Sequence, residues 1–186
     1  ARHVDARVVK EAPKAITVAK EMLKRFPDAK WHQWDPASRN NARVGSKLAF
    51  GEFVDAQYRI DQADVILTLD ADVLACGPAA LRYARDFAAR RRPELADRMN
   101  RLYAIESMPS STGARADHRL PLRPSQIDRA ARHIAAALGV GGGGAPGGSA
   151  GSGETDTTAK FVAAVAKDLQ AHRGRSLVVA GDGQPS

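Results

Sequence analysis

Two carboxylates, Asp70 and Asp72, flank one alanine directly after the apolar run Val65 to Leu69, and a third, Glu106, closes the run Leu102 to Ile105. A strand that ends in a polar loop at its carboxyl edge is where open α/β sheets place ligands. A carboxylate pair at that edge can accept from ribose hydroxyls or ligate a hard cation. The same pair also suits a turn and the acidic start of a helix opening near Pro78, because negative charge complements a helix N-terminus. No third acidic ligand stands close by, and no glycine-rich phosphate turn follows the first strand.

Beyond Glu106 the chain enters a turn rich in Ser, Pro, Thr and Gly, with Ser107, Ser110, Ser111 and Thr112, before an extended segment from Asp117 to Leu122. Asp117 and His118 have the residue types of an acid/base dyad, but neighbours on a strand point to opposite faces. The serines and His118 suggest a nucleophile triad, yet no G-x-S-x-G elbow is present. Neither G-x-G-x-x-G nor a P-loop occurs, and GVGGGGAPGGSAG is compositional glycine without a strand leading into a helix. His32, in the tract Trp31-His32-Gln33-Trp34-Asp35-Pro36, reads as a hydrogen-bonded structural residue. The two tryptophans suit a pocket lining or packing against helices equally well.

The single cysteine, Cys76, cannot by itself hold an iron–sulfur cluster or a structural zinc, and it cannot form an intramolecular disulfide. It lies in the turn VLACGPAA before a helix, a setting for an activated thiol, and is read instead as a small buried apolar side chain. The formal charge is +7, with 20 arginines to 8 lysines. The basic residues are dispersed, only Arg90, Arg91 and Arg92 form a run, and aromatics are 5% of the chain, so nucleic-acid recognition is not expected. A solvated face or a docking surface is expected in its place.

The elements that position these residues follow from periodicity. At 186 residues and 44% hydrophobic the chain can bury a core of one or two domains. Ala6 to Val9 reads as a short strand, Pro13 to Phe26 as a helix, and Lys30 to Trp34 as a second strand. Asn40 can cap a helix through Phe50 that Gly51 closes. The third strand is Asp64 to Leu69. Pro78 opens a helix carrying Leu81, Ala84, Arg85 and Ala88, which stops before Pro93. Leu102 to Ile105 is the fourth strand, Ser125 can cap a helix to Leu138, and a helix with Phe161, Val165 and Leu169 leads to a last strand, Leu177 to Ala180. This alternation predicts an α/β, Rossmann-like fold with a mostly parallel sheet and helices on both faces.

The expected domain organisation is an α/β region over residues 1–138, a flexible Gly-rich loop or linker over 139–155, and a helix and strand continuing the region over 156–186. No apolar run approaches a membrane span, and no signal peptide is visible. Starting at Ala1 and stopping just past a strand, the chain reads as a piece of a longer protein.

The order ADVILTLDAD, an arginine-rich helix ending RDFAARRR, RLYAIES and TGARADHRLPLRPS resembles the central α/β domains of the molybdopterin oxidoreductase family. Thr112, Ala116, Asp117, Leu120, Leu122, Arg123 and Pro124 follow that family's outline. The cofactor turns differ. Asp70-Ala71-Asp72 stands where the family has glycine and asparagine, Glu106-Ser107-Met108 replaces an aspartate-proline-arginine turn, and Ser125-Gln126 replaces glycine-threonine. Carboxylates at those turns oppose the phosphates of a pterin dinucleotide.

Within that superfamily the tracts AKWHQWDPASRNNARVGSKLAFGE, YRIDQADVILTLDADVL, MNRLYAIESMPSSTGARADHRLPLRPSQI and VAKDLQAHRGRSLVVAGDGQP resemble the iron–sulfur subunit of bacterial alternative complex III, a quinol-oxidising respiratory assembly. The resemblance implies a non-catalytic scaffold or docking region, peripheral on the periplasmic face of the inner membrane. It implies no cofactor in this stretch and iron–sulfur clusters elsewhere in the subunit. The implied partners are the cluster-bearing region of the same chain and other subunits of the membrane-bound complex. It makes Asp70, Asp72, Glu106, Ser107, Thr112 and Arg123 the lining of a vestigial crevice. The alternatives are a working molybdopterin-dinucleotide-binding domain of a molybdenum oxidoreductase, and a small-ligand module using Asp70, Asp72 and Glu106.

Overall fold

The run Val65–Leu69 (β1) is buried at every residue, the mark of a strand covered on both faces. It pairs with β2 (Arg101–Glu106) on one side and β4 (Ser176–Ala180) on the other, and β3 (His118–Pro121) adds outside β2. All three pairings are parallel, with Leu67 opposite both Tyr103 and Val178, and Ile105 opposite Leu120. The computed structural model describes residues 17–18, 20–30, 39–140 and 156–185. Four helices of ten or more residues accompany the sheet among them: α1 (Asn40–Phe50), α2 (Ala80–Ala89), α3 (Pro124–Ala137) and α4 (Asp156–Ala171).

Alternation along the strands divides the core in two. On one face Val65, Leu67 and Leu69, with Tyr103, Ile105 and Leu120, meet Ile127 and Ile134 of α3 and Val162, Val165 and Leu169 of α4. On the other face Ile66 and Leu102 meet Tyr83 and Phe87 of α2, together with Ile60 and Ala63. The fold is the expected α/β, Rossmann-like arrangement. Burying a side chain such as Leu67 contributes on the order of 2 kcal/mol, so these two clusters, rather than helix propensity, hold the layers together.

Local details depart from the expectations. The helix expected to begin at an Asn40 cap has Arg39 at that position, with no side-chain cap, while Gly51 closes it at φ 77° as anticipated. The helix expected from Ser125 starts at Pro124, with Arg123 as N-cap. Proline pre-sets the first helical φ and holds the preceding residue extended, so the start moves forward of the serine. The Gln126 side chain accepts from the Arg123 amide at 3.2 Å. In α2 the buried residues are Ala80, Tyr83 and Phe87, whereas Leu81 is 90% exposed. Two aromatic rings remove more apolar surface from water than one leucine, and they set the helix register.

The expected strands Ala6 to Val9 and Lys30 to Trp34 lie outside the described residues in whole or nearly so. The same holds for the Trp31–Trp34 tract and for residues 141–155 of the Gly-rich segment.

Candidate functional site

The loops leaving β1 and β2 meet at the carboxyl edge of the sheet, where the three carboxylates converge. Asp70 follows β1 at φ 54°, a left-handed backbone that aspartate tolerates better than most residues. Its Oδ1 accepts from the Ser107 amide at 2.9 Å and the Ser107 hydroxyl at 3.0 Å, and its Oδ2 accepts from Gln184 at 3.3 Å. The Asp70 amide donates to the Ile105 carbonyl at 2.7 Å, so the β1 loop is tied to β2 by backbone and side chain together.

Asp72 performs the same task one step further along. Its Oδ1 accepts from the Thr112 amide at 2.9 Å and from the Thr112 hydroxyl at 2.7 Å. That hydroxyl in turn accepts from the Leu74 amide at 3.0 Å, and Thr112 is fully buried. Glu106 is only 4% exposed. It is ion-paired to Arg119 and accepts from the Ser110 hydroxyl at 2.6 Å, and that hydroxyl accepts from the Gly113 amide at 3.0 Å. Of the six residues expected to line the crevice, the structure joins Asp70 to Ser107 and Asp72 to Thr112, and it places Glu106 in a third, adjacent network. Arg123 stands apart, exposed at the start of α3.

Other candidates resolve as follows. Cys76 is exposed, not buried as expected, because the turn residues Asp72 to Cys76 carry it outward, with its sulfur 3.8 Å from Asp72 Oδ2. Asp117 binds Arg91 and accepts from the Leu102 amide at 2.8 Å. Burial acts to raise its carboxyl, but the Arg91 and Leu102 hydrogen bonds and the Arg91 charge outweigh burial and hold it below the ordinary carboxylate value. His118 stacks on Tyr103 with ring centroids 4.8 Å apart, so it and Asp117 form no dyad. The Ser110 hydroxyl is committed to Glu106.

A molybdopterin dinucleotide would need free backbone amides or cations for its phosphates. The amides of Leu74, Ser107 and Thr112 already donate to side chains of the opposing loop, and Arg119 is spent on Glu106. The donors of these two loops are thus committed within the chain rather than offered to such a group. Among the described residues, no cluster of three or more His, Cys, Asp or Glu is arranged to hold a metal, and no helix is long and apolar enough to cross a membrane.

The opposite, amino edge carries a feature that sequence reasoning missed. A cavity of about 540 Å³ is lined there by Asp64, Arg90, Arg98, Arg101, His172 and Arg175, with Val65 and Met99 between them. Asp64 bridges Arg90, at 2.6 Å, and Arg175. The Arg175 hydrogen bond, aided by Arg90, overcomes desolvation and holds the Asp64 carboxyl down at about 2. Arg101 pairs with Asp168 at 2.8 Å, and the Tyr103 hydroxyl donates to the same oxygen at 3.0 Å. These partners are separated by up to 111 positions in sequence, and only the arginine excess hinted at them.

Compared with known proteins, the chain matches no family model and no curated sequence.

Proposed function

We propose that this chain is a non-catalytic docking region of the iron–sulfur subunit of a quinol-oxidising respiratory complex, held at the periplasmic face of the inner membrane. In this reading it carries no cofactor of its own. Its partners are the cluster-bearing remainder of the subunit and neighbouring subunits of the complex, and its arginine-rich surface pairs with acidic groups on them. The observation that supports the reading best is the carboxyl edge. There Asp70, Asp72 and Glu106 bind the chain's own amides, hydroxyls and Arg119, where an open α/β sheet would present donors to a ligand.

Calorimetry of the chain with molybdopterin guanine dinucleotide and with guanine nucleotides tests it. No binding is expected up to roughly millimolar ligand, that is, less than about 4 kcal/mol. Micromolar binding lost in Asp70→Ala would overturn the docking reading in favour of a dinucleotide-binding domain. Cross-linking in isolated membranes supplies the positive arm: cross-links to quinol-oxidising subunits support the reading, and their absence when the protein is present counts against it.

A further inference from the structure

The cavity at the amino edge gathers more positive charge than the fold consumes. Its lining brings four guanidinium groups, Arg90, Arg98, Arg101 and Arg175, against the carboxylates of Asp64 in the wall and Asp168 behind Arg101, a surplus of two guanidinium charges. The C-terminal ends of α2 and α4 arrive at the same edge, at Ala89 and Ala171. Helix C-termini favour cations, which accounts for part of the accumulation. Each end supplies about half a negative charge, so two ends offset about one of the two surplus charges. The Arg98 guanidinium makes no hydrogen bond or ion pair among the described residues, and the side chains of Arg101 and Arg175 remain 51% and 62% exposed.

We propose that this cavity docks an acidic peptide segment of a partner protein, its carboxylates received by Arg98, Arg101 and Arg175. The inference rests on the docking reading above and names its surface. Backbone chemistry decides between a carboxylate segment and a compact phosphate. Phosphate sites rely on clustered amides at a helix N-terminus or a glycine-rich turn. Here the helices present carbonyl ends, and the strand-entry amides are spent: Asp64 on the Arg175 carbonyl at 2.8 Å, Arg101 on the Asp64 carbonyl at 2.8 Å. What remains is a spread of long, forked side chains around an open hollow. That arrangement suits several carboxylates carried along an extended chain: the Arg98 fork can take one in paired hydrogen bonds, and the N–H groups that Arg101 and Arg175 do not spend on Asp168 and Asp64 can take others.

The probe is a fluorescein-labelled hexaglutamate peptide titrated with the whole chain and read by anisotropy, with inorganic triphosphate as competitor. Binding is expected at about 50 mM salt and should weaken by roughly tenfold or more by about 300 mM, since these charges lie near solvent. The double substitution Arg98→Glu with Arg101→Glu should weaken it by at least about tenfold. Arg85→Glu with Arg132→Glu, an equal charge change at exposed sites on α2 and α3, should weaken it by less than about threefold. Arg98→Glu alone, at a side chain with no partner among the described residues, guards against misfolding and should still weaken binding several-fold. Equal losses in both double variants, or displacement by triphosphate at concentrations below those of the peptide, would overturn the proposal. Failure of the unsubstituted chain to bind the peptide, with no nucleotide binding at the carboxyl edge, would remove this surface and leave the docking reading standing. Nucleotide binding at that edge would remove the docking reading itself.

Discussion

Glu106 fills the space beside Gly113 where any β-carbon would sit: an added methyl group at residue 113 would fall on the glutamate carboxylate, closer than any real contact allows. The carboxylate cannot simply swing aside, because Arg119 and Ser110 hold it in a buried position. Glycine at 113 and glutamate at 106 are therefore one structural decision. Gly113→Ala should destabilise the fold by about 2–3 kcal/mol, from overpacking and a displaced ion pair. Chemical denaturation of Gly113→Ala, Glu106→Ala and the double variant checks this. The two single losses should sum to clearly more than the double, since removing Glu106 vacates the space the alanine needs. Strict additivity would show that the two residues act independently.

At Asp70 the backbone conformation and the side chain make separate demands. The left-handed φ favours glycine or asparagine, while Ser107 requires an acceptor. Asp70→Asn should keep both and cost less than about 1 kcal/mol. Asp70→Gly relieves the backbone but leaves the Ser107 amide without its acceptor, and Asp70→Ala fails on both counts at about 2–3 kcal/mol. Thermal midpoints should rank Asn, then Gly, then Ala. Alanine ranking above glycine would mean that the φ carries no strain.

The Asp64 carboxyl, depressed to about 2 by Arg175 and Arg90, gives the fold a defined acid limit. Below an unfolded value near 4 the denatured chain binds the proton that the folded chain refuses, so stability falls as pH drops. Its contribution is fully present above about pH 4 and lost as pH falls through about 2. In Asp64→Asn the protein should be less stable at pH 7, and its stability should decline less steeply between pH 4 and 2. An unchanged slope there would show that Asp64 is not a source of the acid sensitivity.

How much of this was legible beforehand depends on the range of the interaction. The apolar runs ending at Asp70 and Glu106 announced β1 and β2 because burial on both faces leaves a continuous hydrophobic signature. The carboxyl-edge location of Asp70, Asp72, Glu106, Ser107 and Thr112 followed from strand direction alone. Their partnering did not: Asp72 and Thr112 lie 40 positions apart, and which hydroxyl meets which carboxylate depends on how the β2 loop folds back. The cation that neutralises this edge, Arg119 on Glu106, was equally out of reach of spacing alone. The α2 face was obscured for another reason, since Leu81 and the pair Tyr83/Phe87 each offered an apolar stripe and only the neighbouring Ile66 and Leu102 chose between them.

Thr112 offers the sharpest test that the carboxyl edge is closed by its own side chains. Its hydroxyl donates to Asp72 and accepts from the Leu74 amide, so one buried oxygen links the β1 and β2 loops in both directions. Thr112→Val preserves shape and β-branching while removing only that oxygen. The Leu74 amide then loses its acceptor and Asp72 one of its donors, at a cost of about 2–3 kcal/mol. Thr112→Ser keeps the oxygen and removes a methyl group from a fully buried site, at about 1 kcal/mol. Hydrogen exchange should separate local from global effects. In Thr112→Val, protection should fall most at the Leu74 and Thr112 amides, while the β1–β2 ladder falls only by the global loss. A valine variant as stable as the serine variant would show that the hydroxyl bridge contributes nothing, and that packing alone closes this end of the sheet.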